Sequence, residues 1–380
     1  MEDIPLSRRR VLRTWSCGEG PAELTGEKQA HHSKSLLDLA SNDYLGLSRH
    51  PSLIKAAQVI MNKDGVGAGA SRLVTGSRPI HHKLEEELAS WLGQESVLLF
   101  PSGFQANIAA VIGLADRSTT VIADRLIHHS LLIGVKASGA KLKRFAHNDL
   151  NDLERHLKLL KNKQSKKKPV VLTESLFSME GTSPPLKAIA ILCEQFGAEL
   201  LVDEAHAIGT MGNKGQGLCH QTSAPITILS GTFGKAFGSG GAFLATSKRM
   251  REYLLQTSGA FRYSTALAPP LAGAALAALT LIKSHPEWVL NLQNRSEHWR
   301  CQLSSKGWIC PSGNGPILPL ILGTDQEALF CQNQLEKAGL LSVAIRPPTV
   351  PEGTSRLRLV LRRDLPNGTL SKLLNTLKPQ

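Results

Sequence analysis

The stretch Ile226–Phe243, ITILSGTFGKAFGSGGAF, decides how the rest of the chain is read. Its first four residues, Ile226 to Leu229, are apolar or β-branched and read as a short buried strand. A loop of small residues follows, with one lysine, Lys235, set among Gly231, Gly234, Gly238, Gly240 and Gly241. Glycine adopts backbone angles that other residues resist, so this loop is suited to fold tightly under a bound ligand. A phosphate-loop reading fails, because it needs Gly-x-x-x-x-Gly-Lys followed by Ser or Thr. Leu229 stands where the first glycine belongs, and Ala236 follows the lysine. Two readings stay open on this stretch alone. One is a solvated surface lysine. The other is a Schiff-base lysine, an amine that condenses with a carbonyl beside a phosphate pocket.

The residues just upstream, AELLVDEAHAIGTMG (Ala198–Gly212), choose between them. Leu200 to Val202 reads as another buried strand, ending at Asp203. In a doubly wound α/β sheet, ligands bind beyond the carboxyl ends of strands. Asp203 and Lys235 both fall just past such ends. That pairing fits pyridoxal phosphate: the lysine bonds its aldehyde and the carboxylate pairs with its pyridinium nitrogen.

TFGKAFG, VDEAH and FSMEG (Phe177–Gly181) together resemble the α-oxoamine synthases, pyridoxal-phosphate enzymes of the aspartate-aminotransferase fold. The match runs from SNDYLGLSRHP (Ser41–Pro51) through SGFQAN (Ser102–Asn107) and ADRLIHHS (Ala123–Ser130) to AIRPPTVPEGTSRLRL (Ala344–Leu359), nearly the whole chain. It implies a fold-type-I α/β protein with a large, mainly parallel-sheet cofactor domain over residues 46–275. A smaller α+β domain over 276–380 and an N-terminal segment, 1–45, packing with it complete the expectation. The run Arg346-Pro347-Pro348-Thr349-Val350-Pro351 favours the family member of biotin biosynthesis, an acyltransferase condensing L-alanine with a pimeloyl thioester. Sister enzymes use glycine or serine with other acyl-CoA substrates.

The resemblance carries roles residue by residue. Lys235 is the Schiff-base lysine and, once freed, the base at the substrate Cα. Asp203 pairs with the ring nitrogen, and His206 bonds the phenolic oxygen and helps protonate the incoming carbonyl. His128, rather than His129, stacks on the ring and faces the substrate. Backbone N–H groups of Ser102, Gly103 and Phe104 hold the phosphate, as N–H groups at a helix start hold a dianion well, and Thr232 adds its hydroxyl. Ser178 lies on the ring-hydroxyl side. The segment Tyr263-Ser264-Thr265 reaches the neighbouring subunit's phosphate, which implies a homodimer with active sites at the interface. Arg356 grips the substrate carboxylate with two parallel bonds; Arg358 shares its strand face, and only the alignment prefers Arg356. Thr349 and Arg13 contact the acyl substrate. Two departures stand out: His129, where the family has a small residue, and Ala207-Ile208, where relatives have Gly-Thr.

Composition bounds the alternatives. The chain has 380 residues, 42% hydrophobic and 20% charged, as in an ordinary globular protein. No apolar run approaches the roughly 20 residues of a membrane helix, and no signal-peptide core is read near the start, so a cytoplasmic enzyme is expected. Six well-separated cysteines suit a reducing compartment. The net charge of +13, together with the literal Asp203-Glu204-Ala205-His206, invites a helicase reading. That reading lacks any phosphate loop upstream, so no nucleic acid is expected. Part of the charge is the run Lys161–Lys168, read as a solvated loop. The pairs His31-His32, His81-His82 and His128-His129 lack a suitably spaced third ligand, so no metal is expected.

Strands are expected at Val97–Phe100, Thr120–Ala123, Lys141–Phe145, Val170–Thr173, Leu200–Val202, Ile226–Leu229 and Ala242–Ala245, with helices between them. Gly65–Ser77 superficially matches the dinucleotide pattern Gly-x-Gly-x-x-Ala, but a helix precedes it where a strand is required. A helix over Asn148–Leu160 is read as capped by Asn148. Ala272–Ile282 is read as a helix bridging to the smaller domain, and Arg356–Leu361 as a half-solvated strand of period two.

Overall fold

The computed structural model describes residues 5–26, 35–161, 167–222 and 224–377. His31, His32 and residues 162–166 of the lysine-rich run lie outside the described residues. The chain forms two compact units. The first comprises Met1–Gly46, Ser178–Thr182 and Leu290–Gln380; the second comprises Leu47–Phe177 and Ser183–Val289.

The first unit opens with β1 (Trp15–Cys17), β2 (Glu23–Gly26) and β3 (Ser35–Asp38). The second holds α1 (Pro51–Asp64), α2 (Pro79–Leu92), β4 (Ser96–Phe100), α3 (Gly103–Leu114), β5 (Thr120–Asp124) and α4 (His129–Ser138). It continues through β6 (Lys141–Phe145), α5 (Leu150–Lys161), β7 (Val170–Glu174), α6 (Leu186–Gln195), β8 (Glu199–Asp203), β9 (Ile228–Thr232) and β10 (Ala242–Thr246). Helices α7 (Lys248–Thr257), α8 (Gly259–Arg262) and α9 (Pro269–Ser284) follow, and then α10 (Pro286–Ser305). The first unit resumes with β11 (Ile317–Gly323), α11 (Asp325–Lys337), β12 (Leu340–Leu341), β13 (Val343–Ile345), β14 (Ser355–Val360) and α12 (Thr369–Thr376).

Strands β4 to β10 make one seven-stranded sheet in the order β4-β10-β9-β8-β7-β5-β6. Its β9-β8-β7-β5-β6 run is parallel, and β10 alone is antiparallel to its neighbours. Side chains alternate across a strand, so a strand buried at consecutive positions is covered on both faces. β7 and β10 are buried throughout, and β4, β5 and β8 at four of five positions. The mainly parallel α/β sheet expected from the sequence is therefore present, with every expected strand in place.

Details differ from the sequence expectation for identifiable reasons. The strand expected at Ile226–Leu229 is β9, Ile228–Thr232, so Gly231 belongs to the sheet rather than to the loop. A β-carbon on Gly231 would run into the Phe243 ring on the paired strand, so a close approach fixes glycine there. Asn148 does not cap α5: it sits at φ 57°, and Asp149 Oδ1 instead accepts from the N–H groups of Asn151 and Asp152 at 2.9 and 3.0 Å. α9 lies wholly within the second unit, packed on α1 and α2, because its Ala272, Ala275, Ala278 and Ile282 are buried there; the unit boundary falls at Leu290 rather than 276. β14 is buried at every position, not half-solvated. It is the central strand of β11-β14-β13, and polar partners inside the first unit satisfy its arginines.

Among the described residues, no helix is long and apolar enough to cross a membrane. Nor is any group of three His, Cys, Asp or Glu placed to hold a metal ion.

Candidate active site

The carboxyl ends of β8 and β9 deliver the two residues on which the sequence reading turned. β8 ends at Asp203, and the chain then turns tightly: the N–H groups of Ala207 and Ile208 both donate to the Glu204 carbonyl. This turn places His206. β9 ends at Thr232, whose hydroxyl donates to the Gly241 carbonyl at 2.9 Å and accepts from the Gly234 N–H at 3.2 Å, closing the lysine loop. Gly238 bends that loop with φ +58°, and a β-carbon there would strike the Leu47–Ser48 backbone. Lys235 Nζ thereby comes to 2.7 Å from His206 Nε2.

Both face a pocket of about 220 Å³ lined by Gly103, Phe104, Asn107, His128, Glu174, Asp203, Ala205, His206, Ser230, Gly231, Thr232 and Lys235. Asp203 is 6% exposed. Its Oδ2 accepts from Asn107 Nδ2 at 2.7 Å and its Oδ1 from the Ala205 N–H at 2.9 Å. No cationic side chain among the described residues lies within ion-pair distance of it. His128 caps α4 by accepting from the Ser130 N–H, and Phe104 meets its ring edge-to-face at 6.4 Å. Desolvation lowers the His128 pKa, the Asp203 charge opposes this, and Lys235 adds to the lowering. Ser102 caps α3 by accepting from the Gln105 N–H at 3.3 Å, and the first two residues of that helix, Gly103 and Phe104, line the pocket.

Glu204, next to Asp203, is fully buried. Its Oε1 accepts from the N–H groups of Leu218 and Cys219 at 2.6 and 3.0 Å, yet burial raises its pKa to about 7. Ala207 and Ile208, the departures noted in the sequence, are buried behind this turn and remove no polar group from the pocket.

The remaining expected residues have defined places. Thr265 bridges Ser71 within the second unit. In the first unit, Arg356 Nη1 lies 3.2 Å from Glu180 Oε1, and Arg358 Nε donates to the Ser178 carbonyl at 2.6 Å. Burial lowers the Arg356 pKa, with Glu180 opposing. Thr349 accepts from Arg10 Nη2 at 2.7 Å, and Arg13 forms a two-point pair with Glu336 at 2.6 and 3.0 Å. The sequence reading missed Asn107, Ser130 and Glu174. Glu174 had a usable signal, as the last residue of the strand VVLTE; Asn107 and Ser130 looked like ordinary helix residues.

A family model described as aminotransferase class I and II matches residues 34–377. The chain belongs to that family. Among its relatives in the class I and II aminotransferases, the 8-amino-7-oxononanoate synthase of Acidithiobacillus ferrooxidans is 40% identical over 362 residues, 94% of this chain and 90% of that one. Serine palmitoyltransferase of Sphingomonas wittichii superposes with a TM-score of 0.90 at 25% identity, over 96% of this chain and 90% of that one. SPT has also been solved with PLP as an internal aldimine. The 8-amino-7-oxononanoate synthase of Francisella tularensis superposes with a TM-score of 0.76 at 27% identity, over 90% and 95%. The resemblance to the α-oxoamine synthases read from the sequence is borne out by these relatives.

The family implies pyridoxal phosphate, and the pocket's donor set fits it. A buried carboxylate that accepts from the neutral Asn107 amide and the Ala205 N–H suits a pyridinium N–H, the α3 N-terminus suits a phosphate dianion, and a lysine amine faces the same space.

Proposed function

We propose that the protein catalyses the decarboxylative condensation of L-alanine with a pimeloyl thioester, on coenzyme A or a carrier protein. The products are 8-amino-7-oxononanoate, the free thiol and carbon dioxide, as a step of biotin biosynthesis. The observation that carries this reading is the convergence of Lys235, His206 and the buried Asp203 on one pocket, in a chain 40% identical to a synthase of that name.

Pyridoxal phosphate, when bound, supplies the electron sink that stabilises negative charge at the substrate Cα. Asp203 would pair with the ring nitrogen, and the N–H groups of Gly103 and Phe104 would hold the phosphate, joined by the Thr232 hydroxyl once it turns from the Gly241 carbonyl. Ser178 would serve the ring-hydroxyl side, and His128 would pack against the ring. Lys235 Nζ takes the proton from the alanine Cα. His206 Nε2, hydrogen-bonded to that amine at 2.7 Å, orients it and passes a proton to the carbonyl oxygen of the thioester. Arg356 binds the alanine carboxylate in the place that Glu180 takes in this structure. Thr349 and Arg13 contact the acyl chain. The enzyme acts in the cytoplasm as a homodimer, in which the Tyr263–Thr265 segment, with Tyr263 81% exposed, serves the neighbouring subunit's phosphate.

The closer superposition on serine palmitoyltransferase favours a second reading, a sister synthase using serine or glycine. The absorption spectrum of the purified protein with pyridoxal phosphate, before and after each amino acid, separates the two. A visible band that shifts with L-alanine and is absent from Lys235→Ala supports the alanine reading. Preference for glycine or serine replaces it with the sister reaction, and no band at all overturns both. Lys235→Ala is expected to lower turnover about 10³-fold or more.

A further inference from the structure

We infer that Asn107 and Ser130 form a positioning relay that orients the Asp203 carboxylate and sets the tautomer of His128 together; this rests on the pyridoxal-phosphate reading of the pocket. Asn107, on α3, is 3% exposed, and Ser130, on α4, is fully buried. The amide nitrogen of Asn107 lies 2.7 Å from Asp203 Oδ2 and 2.9 Å from Ser130 Oγ, so its two hydrogens serve two acceptors. The opposite amide orientation would set Oδ1 against the carboxylate, so the chemistry fixes which end faces Asp203. The Asn107 Oδ1 is buried without a hydrogen-bond partner among the described residues. An arrangement that leaves this acceptor unsatisfied in order to aim both hydrogens is not selected by packing alone.

The direction then propagates. Ser130 Oγ accepts from Asn107, so its own hydrogen is available to His128 Nδ1 at 2.7 Å. The Ser130 N–H points at the same nitrogen at 3.3 Å. His128 Nδ1 is therefore an acceptor, and the ring carries its proton on Nε2. At the other end, the second Asn107 hydrogen is given to Asp203 Oδ2 and fixes the orientation of that carboxylate. One amide thus couples the group that keeps the cofactor ring protonated to the group that packs on its face. Neither residue touches the reacting atoms; both act through others.

The test compares Asn107→Leu, Asn107→Asp and Ser130→Ala with the wild type, reading pyridoxal phosphate affinity across pH by absorbance and the His128 imidazole nitrogen shifts by NMR in cofactor-free protein. Asn107→Leu removes both donors in a similar volume and is expected to weaken cofactor binding about ten- to a hundredfold, the range for a hydrogen bond to a charged group. Asn107→Asp sets a carboxyl beside Asp203, which raises the pKa of the pair. As pH falls through that pKa, the protonated side chain donates to Asp203 and affinity recovers; the leucine variant shows no such recovery. Lys235, His206 and His128 face Asp203 across the pocket, with Glu174 beside it on β7 and Glu204 and Cys219 behind. These groups are common to every variant, so the acid recovery is read as the difference between Asp and Leu. Ser130→Ala is expected to move the His128 nitrogen shifts away from an Nδ1 acceptor.

Wild-type affinity in Asn107→Leu, or equal losses in the Leu and Asp variants at every pH, would overturn the relay. If the Asn107 variants do not fold, unchanged His128 shifts in Ser130→Ala overturn it instead. Failure of the wild type itself to form a Lys235-dependent band would defeat the cofactor reading rather than the relay.

Discussion

Arg362 in the first unit and Asp203 in the second are both buried charges, but their partners differ in kind. Arg362 meets Asp364 through two bonds of 2.8 and 2.9 Å, Asp38 at 2.7 Å and Asp43 at 3.5 Å. Burial alone would lower its pKa, yet Asp364, Asp43 and Asp38 raise it overall. Asp203 and its neighbour Glu204 are held instead by neutral N–H donors: Asn107 and Ala205 for the first, Leu218 and Cys219 for the second. A charge locked to fixed opposite charges is committed to structure. One held by neutral dipoles keeps its field and remains able to meet the charge of a ligand. The difference marks the second unit's pocket as the place where charge is kept for chemistry. It also has a cost, visible at Glu204, which burial without a cation pushes up to about 7.

The largest effect that tests this contrast is Arg362→Leu. It strands Asp38 and Asp364 without their cation and is expected to cost about 3–5 kcal/mol, measured by urea unfolding. A loss below about 1 kcal/mol would mean that the cluster contributes little, and the contrast would collapse from the first unit's side. Next comes the pH dependence of Glu204. Its folded pKa lies above its ordinary value of 4.5, so the folded state holds the proton more tightly, and stability falls as pH rises from about 4.5 through about 7. The difference amounts to at most about 3 kcal/mol. Glu204→Gln should be flatter than the wild type over that window in melting temperature against pH, and a parallel pair of curves would show that Glu204 is not the group responsible. His81, whose pKa burial lowers to about 4, acts with the opposite sign: its contribution is lost as pH falls from 6.5 through about 4. The smallest change, Gly231→Ala, sharpens the contrast by asking how far packing, rather than charge, holds the pocket wall. Its β-carbon meets the Phe243 ring, with an expected loss of about 1–3 kcal/mol.

Legibility followed locality. Lys235 and Asp203 were readable because each follows a short apolar strand, and a strand end in a parallel sheet is where ligands collect. His206 and His128 needed the family resemblance, since a single histidine has no distinguishing spacing. The end of β9 was placed three residues early because Gly231 and Thr232 resemble a loop until Phe243 and Ala242 are known to lie across them. β14 alternates as a half-exposed strand should, and only its partners on neighbouring strands and at Ser178 and Glu180 explain why its arginines are buried.

By itself, then, the sequence determined the succession of strands and helices, the mainly parallel sheet and the lysine and carboxylate at its strand ends. Those follow from periodicity and from residue chemistry within a few neighbours. Which polar groups meet was decided only by the tertiary structure: Asn107 and Asp203 are 96 residues apart, and Ser130 lies 23 beyond Asn107. Hydrogen bonds act over about 3 Å whatever the chain separation, so no local pattern records them until the sheet brings α3, α4 and β8 together.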